Sequence, residues 1–208
     1  MYPQETFKRS GFKAVAECMA KNYGLDAPLI LTELEDIMQQ KGASYPLMFN
    51  ELAERLNINQ KSIQQMVQVF IEHEPTIYCF PGVHEILARL GKRYKLGLLT
   101  DGRLAVQRRK IRALGIDTIV DEILCSDSLG LEKPASKLFQ WFERKFEMPG
   151  KSLMYVGDNP EKDFYGANLR SWTTVCVMTP KRRDVDCKST FESYHKIPSV
   201  INLEQLLI

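Results

Sequence analysis

Six residues whose types suit phosphate and metal chemistry lie just beyond short apolar runs of the sequence. They are Thr100, Asp101, Gly102, Lys133, Asp158 and Asp163. A hydroxyl and backbone N–H groups at a helix start can cradle a phosphate, which suits residues 100–102. Two carboxylates close together, as at Asp158 and Asp163, are costly unless they hold a cation or a basic partner. Oxygen ligands of this kind suit Mg²⁺.

Each of these segments has a simpler interpretation when it is taken alone. Residues 100–102 are compatible with a helix N-cap and turn. Residues 157–160 are compatible with a turn and a helix start that has proline near its first position. Lys133 alone is typical of an exposed lysine. The combination is more specific than any one segment, because all three follow successive predicted strands.

The second part of the chain alternates short apolar runs with helical stretches. Strands are predicted at residues 96–99, 123–125, 153–156 and 174–178. Continuously apolar strands separated by helices indicate a parallel sheet covered on both faces. We therefore predict a three-layer α/β domain over residues 78–208. Such sheets bind ligands at the carboxyl ends of their strands, where the candidate residues lie.

The first part of the chain shows helical periodicity and little else. Phe12, Val15, Ala16 and Met19 fall on one helix face, and the same spacing recurs up to Phe70. This pattern predicts a small, all-helical domain over residues 1–77.

Composition excludes some classes of protein. A net charge of +2 over 208 residues does not require a nucleic-acid or membrane partner. The basic run 181–183 is typical of a solvated loop. The five cysteines show no C-x-x-C spacing, which favours free thiols in a reducing cytoplasm. The N-terminus lacks the basic and apolar regions of a signal peptide, and no run is long enough to span a membrane.

In their order and setting, the three segments resemble the haloacid dehalogenase (HAD) superfamily, whose members are mostly Mg²⁺-dependent phosphatases. The segments are 98–102, 130–134 and 156–163. The resemblance implies a Rossmann-like core and makes residues 1–77 a helical cap.

The resemblance also implies a role for each candidate residue. Thr100, with Asp101 and Gly102, would bind the transferring phosphoryl group, and Lys133 would neutralise its charge. Asp158 and Asp163 would hold Mg²⁺ directly or through water. Phosphoryl transfer depends mainly on such positioning and charge neutralisation. The implied partner is a small phosphorylated metabolite.

The chain departs from the family in its first motif, a strand ending in D-x-D. In the family, the first Asp of that strand is the nucleophile and the second is the general acid/base. Residues 1–208 have no D-x-D before residue 78, and the one at 184–186 lies late, in a basic loop. The chain as written is therefore expected to be inactive.

The absent strand would be the central one, between the strands that end at Thr100 and Asp158. Removing it leaves a slot about 10 Å wide, two strand spacings. Three explanations stay open. An upstream stretch carries the strand, another polypeptide or another copy donates it, or the sheet has closed up in a non-catalytic remnant.

The sequence thus supports two functions of different classes. One is a HAD phosphohydrolase that acts on a small phosphomonoester but lacks its nucleophile in this chain. The other is a non-catalytic phosphate-binding, metal-binding or regulatory module. A dehalogenase is less favoured, because it needs the same nucleophile and the paired acids suit a metal-dependent phosphatase.

Overall fold

A computed structural model describes residues 1–43, 45–178 and 191–207. The chain divides into two compact units, Tyr2–Cys79 and Phe80–Ile208, with Met1 grouped in the second. The D-x-D at 184–186 and the basic run 181–183 lie outside the described residues. Within the described ranges, no helix combines the length and apolar character needed to cross a bilayer.

The first unit is built from helices. Their bounds are Gln4–Tyr23 (α1), Ala27–Lys41 (α2), Met48–Arg55 (α3) and Ser62–Glu72 (α4). The apolar face predicted for α1 is fully buried, with Val15, Ala16 and Met19 at 0% exposure. It packs in one cluster with residues of the other three helices, including Leu34, Leu52 and Met66. Burial of these apolar faces against one another holds the helices together.

The second unit alternates strands and helices. The strands are Gly97–Thr100 (β1), Glu122–Cys125 (β2), Met154–Gly157 (β3), Thr173–Val177 (β4) and His195–Ile197 (β5). The helices are Val83–Gly91 (α5), Leu104–Ala113 (α6), Ser136–Phe146 (α7), Pro160–Asp163 (α8) and Tyr165–Asn168 (α9). Short 3₁₀ helices span Ser126–Leu129, Gly150–Ser152 and Val200–Leu206.

The strands form two parallel sheets rather than one. β1 pairs with β2, and β3, β4 and β5 pair in that order. Among the described residues, β1 and β3 do not pair with each other, so the sheet has not closed up. The α/β prediction is confirmed, and the interruption falls between the strands that end at Thr100 and Gly157.

Helices cover both faces of this unit. On one face, Phe139 and Phe142 of α7 pack in a cluster that includes Leu99 of β1, Leu124 of β2 and Tyr155 of β3. On the other face, α5 packs in a cluster that joins Leu96, just before β1, to residues of β3, β4 and β5. The first cluster contains residues of both sheets, and the second includes Leu96 beside β1, so apolar packing holds the two sheets in one unit.

Some predicted elements differ from the structure. The sequence from Glu161 to Leu169 predicts one helix, whereas the structure has two, α8 and α9, which are separated at the buried Phe164. The sequence also predicts a short closing helix over Leu203–Leu207, whereas the structure has the 3₁₀ helix Val200–Leu206. Strand β5 was not predicted, because only Ile197 of its three residues is buried and the apolar pattern is weak.

Candidate phosphate and metal site

Lys133 connects the loops that follow three strands. Its Nζ donates to Asp163 Oδ1 at 2.7 Å and to the Tyr155 hydroxyl at 3.4 Å. Its backbone N–H donates to Asp101 Oδ1 at 3.2 Å. The lysine therefore ties the loop after β2 to residues that follow β1 and β3. The Lys133 side chain is only 15% exposed, which distinguishes it from an ordinary surface lysine.

The Asp163 carboxylate is buried and accepts four hydrogen bonds. Oδ1 receives the Lys133 ammonium and the Tyr155 hydroxyl, and Oδ2 receives the backbone N–H groups of Asp158 and Asn159. The residue as a whole is 2% exposed. Of the two ways to tolerate this acid, a cation or a basic partner, the structure shows the basic partner. All of this hydrogen bonding stabilises the charged carboxylate.

Two glycines allow this close packing. A Cβ on Gly157 would lie 2.5 Å from Asp163 Oδ2, so a side chain there would displace the carboxylate. A Cβ on Gly166 would collide with the carbonyl oxygen of Pro134, which follows Lys133. The absence of a side chain at both positions lets the lysine loop and the aspartate approach each other.

Asp158 presents a different environment from Asp163. Its side chain is exposed, and its carboxylate accepts no hydrogen bond from the described part of the chain. The next residue, Asn159, is the N-cap of α8, but its side chain makes no capping hydrogen bond. Asn159 Oδ1 is buried and has no partner among the described residues. An uncommitted carboxylate and an orphaned amide oxygen therefore lie side by side in the sequence after β3.

These donors can be tested for their fit to Mg²⁺, which prefers oxygen ligands and keeps several waters. Asp158 and Asn159 fit, because both offer oxygen atoms that no described residue uses. Asp163 fits poorly as a direct ligand, because both of its oxygens already accept hydrogen bonds. The described residues contain no cluster of three or more His, Cys, Asp or Glu side chains suited to a metal. A cation here would rely on one carboxylate, an amide oxygen and water.

Thr100 is the last residue of β1, beside the loop that reaches Lys133. Its hydroxyl donates to Gln107 Oε1 of α6 at 3.1 Å. Gly102 has a φ of 109°, and a Cβ there would lie 2.9 Å from Gln107 Nε2. Gln107 therefore lies against both ends of the predicted phosphate segment. Sequence reasoning did not identify Gln107, because nothing in the spacing indicated that α6 folds back over this turn.

Tyr155 is the second residue that sequence reasoning missed. The sequence pattern predicts only an apolar strand position for Tyr155, yet its hydroxyl donates to Asp163 Oδ1 at 3.2 Å. Its ring packs edge-on against Phe139, with centroids 5.1 Å apart. Burial raises the pKa of Tyr155 well above its ordinary value, and the neighbouring Asp163 charge raises it further. The phenol therefore remains a neutral donor at physiological pH.

A groove of about 420 Å³ adjoins the phosphate segment. Gly102, Arg103 and Ser126 contribute to its lining. Ser126 follows β2 directly, and its buried hydroxyl has no partner among the described residues. Besides Arg103, the acidic residues Asp127 and Glu132 line this groove beside the carboxyl ends of β1 and β2.

Comparison with known proteins identifies the family. The model of the haloacid dehalogenase-like hydrolases matches residues 12–177. The chain belongs to this family. Two curated relatives are glyceraldehyde 3-phosphate phosphatases. The protein of Methanopyrus kandleri is 27% identical over 198 residues, covering 89% of this chain and 83% of the relative. That of Pyrococcus abyssi is 29% identical over 169 residues, covering 78% and 70%.

Solved HAD structures share the fold at low sequence identity. A HAD hydrolase of Bacillus subtilis bound to magnesium superposes with a TM-score of 0.68 and 15% identity, covering 99% of this chain and 93% of that one. At 15% identity the match concerns the fold alone. The superposition supports the Rossmann-type arrangement of strands and helices in this HAD chain.

Proposed function

We propose that this chain is a Mg²⁺-dependent phosphomonoester hydrolase of the HAD family that lacks its nucleophile within residues 1–208. The observation that carries the proposal is the Lys133 ammonium, held 2.7 Å from a buried carboxylate at the carboxyl ends of the strands. A cation fixed in that place suits the oxygens of a phosphate. The substrate class is a small phosphorylated metabolite, and the names of the relatives point to a triose phosphate.

Each residue of the site has its own role in phosphate binding. The ammonium of Lys133 has three N–H donors, and Asp163 and Tyr155 take two of them, which leaves the third for a phosphate oxygen. Thr100 contributes its hydroxyl once it exchanges Gln107 for the phosphate, and the backbone at Asp101 and Gly102 lies beside it. Asp158, with Asn159, would hold Mg²⁺, which would neutralise phosphate charge.

The hydrolysis that the family resemblance implies proceeds through an aspartyl-phosphate and needs a free carboxylate. The three carboxylates of the site already have hydrogen-bond partners or a proposed role. Asp101 accepts the Lys133 N–H, Asp163 is saturated with hydrogen bonds, and Asp158 is assigned to the cation. We therefore expect the 208-residue chain to bind phosphate and Mg²⁺ without turnover.

The second function, a non-catalytic binding or regulatory module, is favoured by the same observation. The cluster of Lys133, Tyr155 and Asp163 is fully formed although no nucleophile is present. In either case we propose a cytoplasmic location, because Cys125 is a buried thiol without a disulfide, of the kind that a reducing compartment keeps.

Calorimetry and a phosphate-release assay on the same protein test this proposal. Inorganic phosphate and Mg²⁺ are expected to bind the 208-residue chain, and Lys133→Met is expected to abolish phosphate binding. Glyceraldehyde 3-phosphate is expected to release no phosphate. If inorganic phosphate or Mg²⁺ did not bind, the proposed binding site for that ligand would be excluded. Mg²⁺-dependent phosphate release that Asp158→Ala abolishes would overturn the assignment of this chain as inactive.

A further inference from the structure

A second cavity, of about 470 Å³, lies beside α7. Four side chains of α7 line it at the spacing i, i+3, i+4 and i+7, which places them on one face of the helix. The loop between β2 and α7 contributes two leucines to the lining. In chain order, the lining residues are Leu129, Leu131, Lys137, Gln140, Trp141 and Arg144. The proposed function uses none of them.

The charged side chains of this α7 cavity are positive and have no counter-charge. Within the ranges that the structure describes, Lys137 and Arg144 make no ion pair and no side-chain hydrogen bond. The acid on the same helix, Glu143, is engaged elsewhere, because Arg170 and Trp172 donate hydrogen bonds to it. The described residues that line the cavity therefore carry two positive charges and no negative one.

Trp141 gives the cavity an aromatic wall. Its ring is partly buried, and Phe142 packs against it edge-on, with centroids 4.9 Å apart. The Lys145 ammonium lies 5.3 Å from the centre of the Trp141 ring, and Glu122 lies 3.8 Å from that ammonium and offsets part of its charge. An indole held by such contacts is a rigid planar surface against which another ring can pack.

This lining suits a ligand that combines a planar ring with a doubly charged anion. A nucleobase stacks on an aromatic side chain whatever its identity. The Gln140 amide offers both donors and an acceptor, which suits the polar edge of a base. A phosphate monoester carries about two negative charges at neutral pH, which matches Lys137 and Arg144, whereas a carboxylate carries one. The guanidinium of Arg144 can also bind two phosphate oxygens at once.

We propose that the α7 cavity binds a free nucleoside monophosphate, with its base against Trp141 and its phosphate bound by Lys137 and Arg144. Small-molecule pockets have volumes of about 300–1,000 Å³, so this cavity suits one nucleotide rather than a strand. The site is separate from the phosphate site at Lys133 and does not depend on the proposed function. Leu131 lies two residues before Lys133, so the nucleotide would contact the loop that carries this lysine.

Tryptophan fluorescence tests the site. The chain has two tryptophans, and Trp172 is only 4% exposed, with its indole N–H donated to Glu143. Trp141 is therefore the tryptophan that a ligand can reach. The probe is adenosine 5′-monophosphate, titrated in EDTA to prevent Mg²⁺-dependent hydrolysis. We expect saturable quenching of the emission. Adenosine, which lacks the phosphate, and ribose 5-phosphate, which lacks the base, should bind at least tenfold more weakly.

Substitutions on α7 locate the bound nucleotide. Arg144→Gln removes one of the two positive charges and is expected to weaken binding of adenosine 5′-monophosphate about tenfold. Arg112→Gln, at an exposed position of α6 outside the cavity, is the matched control and is expected to leave binding unchanged. Trp141→Phe leaves only Trp172 to emit and should remove the quenching. Circular dichroism establishes that the three variants fold.

Four outcomes would overturn the proposal. One is the absence of quenching by adenosine 5′-monophosphate. Another is equal affinity in Arg144→Gln and Arg112→Gln. A third is affinity that falls in Thr100→Val but not in Arg144→Gln, which would assign the nucleotide to the phosphate site. The fourth is tighter binding of a tetra-adenylate than of the mononucleotide, which would assign the cavity to nucleic acid.

The same titrations separate this proposal from the proposed function. Failure of inorganic phosphate to bind at Lys133, with quenching by the nucleotide intact, would count only against the proposed function. Loss of the quenching with phosphate binding at Lys133 intact would count only against the nucleotide site.

Discussion

The Lys133 ammonium and the Asp163 carboxylate form a buried ion pair, with Nζ 2.7 Å from Oδ1 and side-chain exposures of 15% and 3%. The two residues are 30 positions apart in the chain and follow different strands. The carboxylate also accepts hydrogen bonds from the backbone N–H groups of Asp158 and Asn159. Asp163 therefore positions both the Lys133 ammonium and the loop after β3.

Removing one partner of this pair is expected to destabilise the fold. Asp163→Asn leaves the Lys133 ammonium without its counter-charge in a nearly buried position, and such losses cost about 3–5 kcal/mol. The free energy of unfolding in urea measures the effect. The control is Glu132→Gln, which removes an exposed partner of Lys162 at 4.0 Å and should change stability by less than about 0.5 kcal/mol. Equal losses in both variants would contradict a structural role for the buried pair.

The hydroxyl of Tyr155 is expected to act on phosphate binding through Lys133. Tyr155→Phe keeps the ring against Phe139 but removes the group that contacts both Nζ and Asp163. We expect the affinity for inorganic phosphate to fall about tenfold, equivalent to about 1.4 kcal/mol, as measured by calorimetry. Tyr23→Phe, which removes an exposed hydrogen bond to Gln65, should leave affinity unchanged. An unaltered affinity in Tyr155→Phe would show that the hydroxyl does not position the lysine.

Asp158 and Asn159, rather than Asp163, are expected to dominate Mg²⁺ binding. Asp158→Asn removes the uncommitted carboxylate, and Asn159→Ala removes the orphaned amide oxygen. Mn²⁺ titration followed by electron paramagnetic resonance should show affinity losses of about a hundredfold and about tenfold. Glu161→Gln removes an exposed neighbouring acid of α8 and serves as the control. If Asn159→Ala binds the ion as the parent chain does, the amide oxygen is not a ligand.

Glu143 is expected to make stability depend on acid pH. Hydrogen bonds from Arg170 and then Trp172 hold the pKa of Glu143 below its ordinary value of 4.5. A pKa lowered in the folded state means that the stabilisation is complete above the unfolded value. It is lost as pH falls through the folded value.

Glu143→Gln tests this dependence by urea unfolding across pH. The variant should be about 1–3 kcal/mol less stable than the parent at pH 7, and the difference should shrink in acid below about pH 4. Glu17→Gln removes an exposed partner of Lys13 at 3.9 Å and should follow the parent curve throughout. A stability difference that stays constant from neutral to acid pH would exclude Glu143 as the source.

The sequence determined where the chemistry-bearing residues stand along the chain. Apolar runs of four or five residues are local features, and they place Thr100, Lys133 and Asp158 at or after the ends of β1, β2 and β3. Helical spacing likewise marked the buried face of α1. These predictions succeed because burial of apolar side chains repeats with the period of each element.

Only the tertiary structure decided how those residues are used. Sequence spacing predicts equivalent roles for Asp158 and Asp163. In the structure, Lys133 and Tyr155 donate hydrogen bonds to Asp163, whereas the Asp158 carboxylate accepts none from the described residues. The folding of α6 over Thr100 through Gln107 and the interruption between β1 and β3 are contacts between distant segments. Their partners are chosen by packing in three dimensions, which periodicity along the chain does not encode.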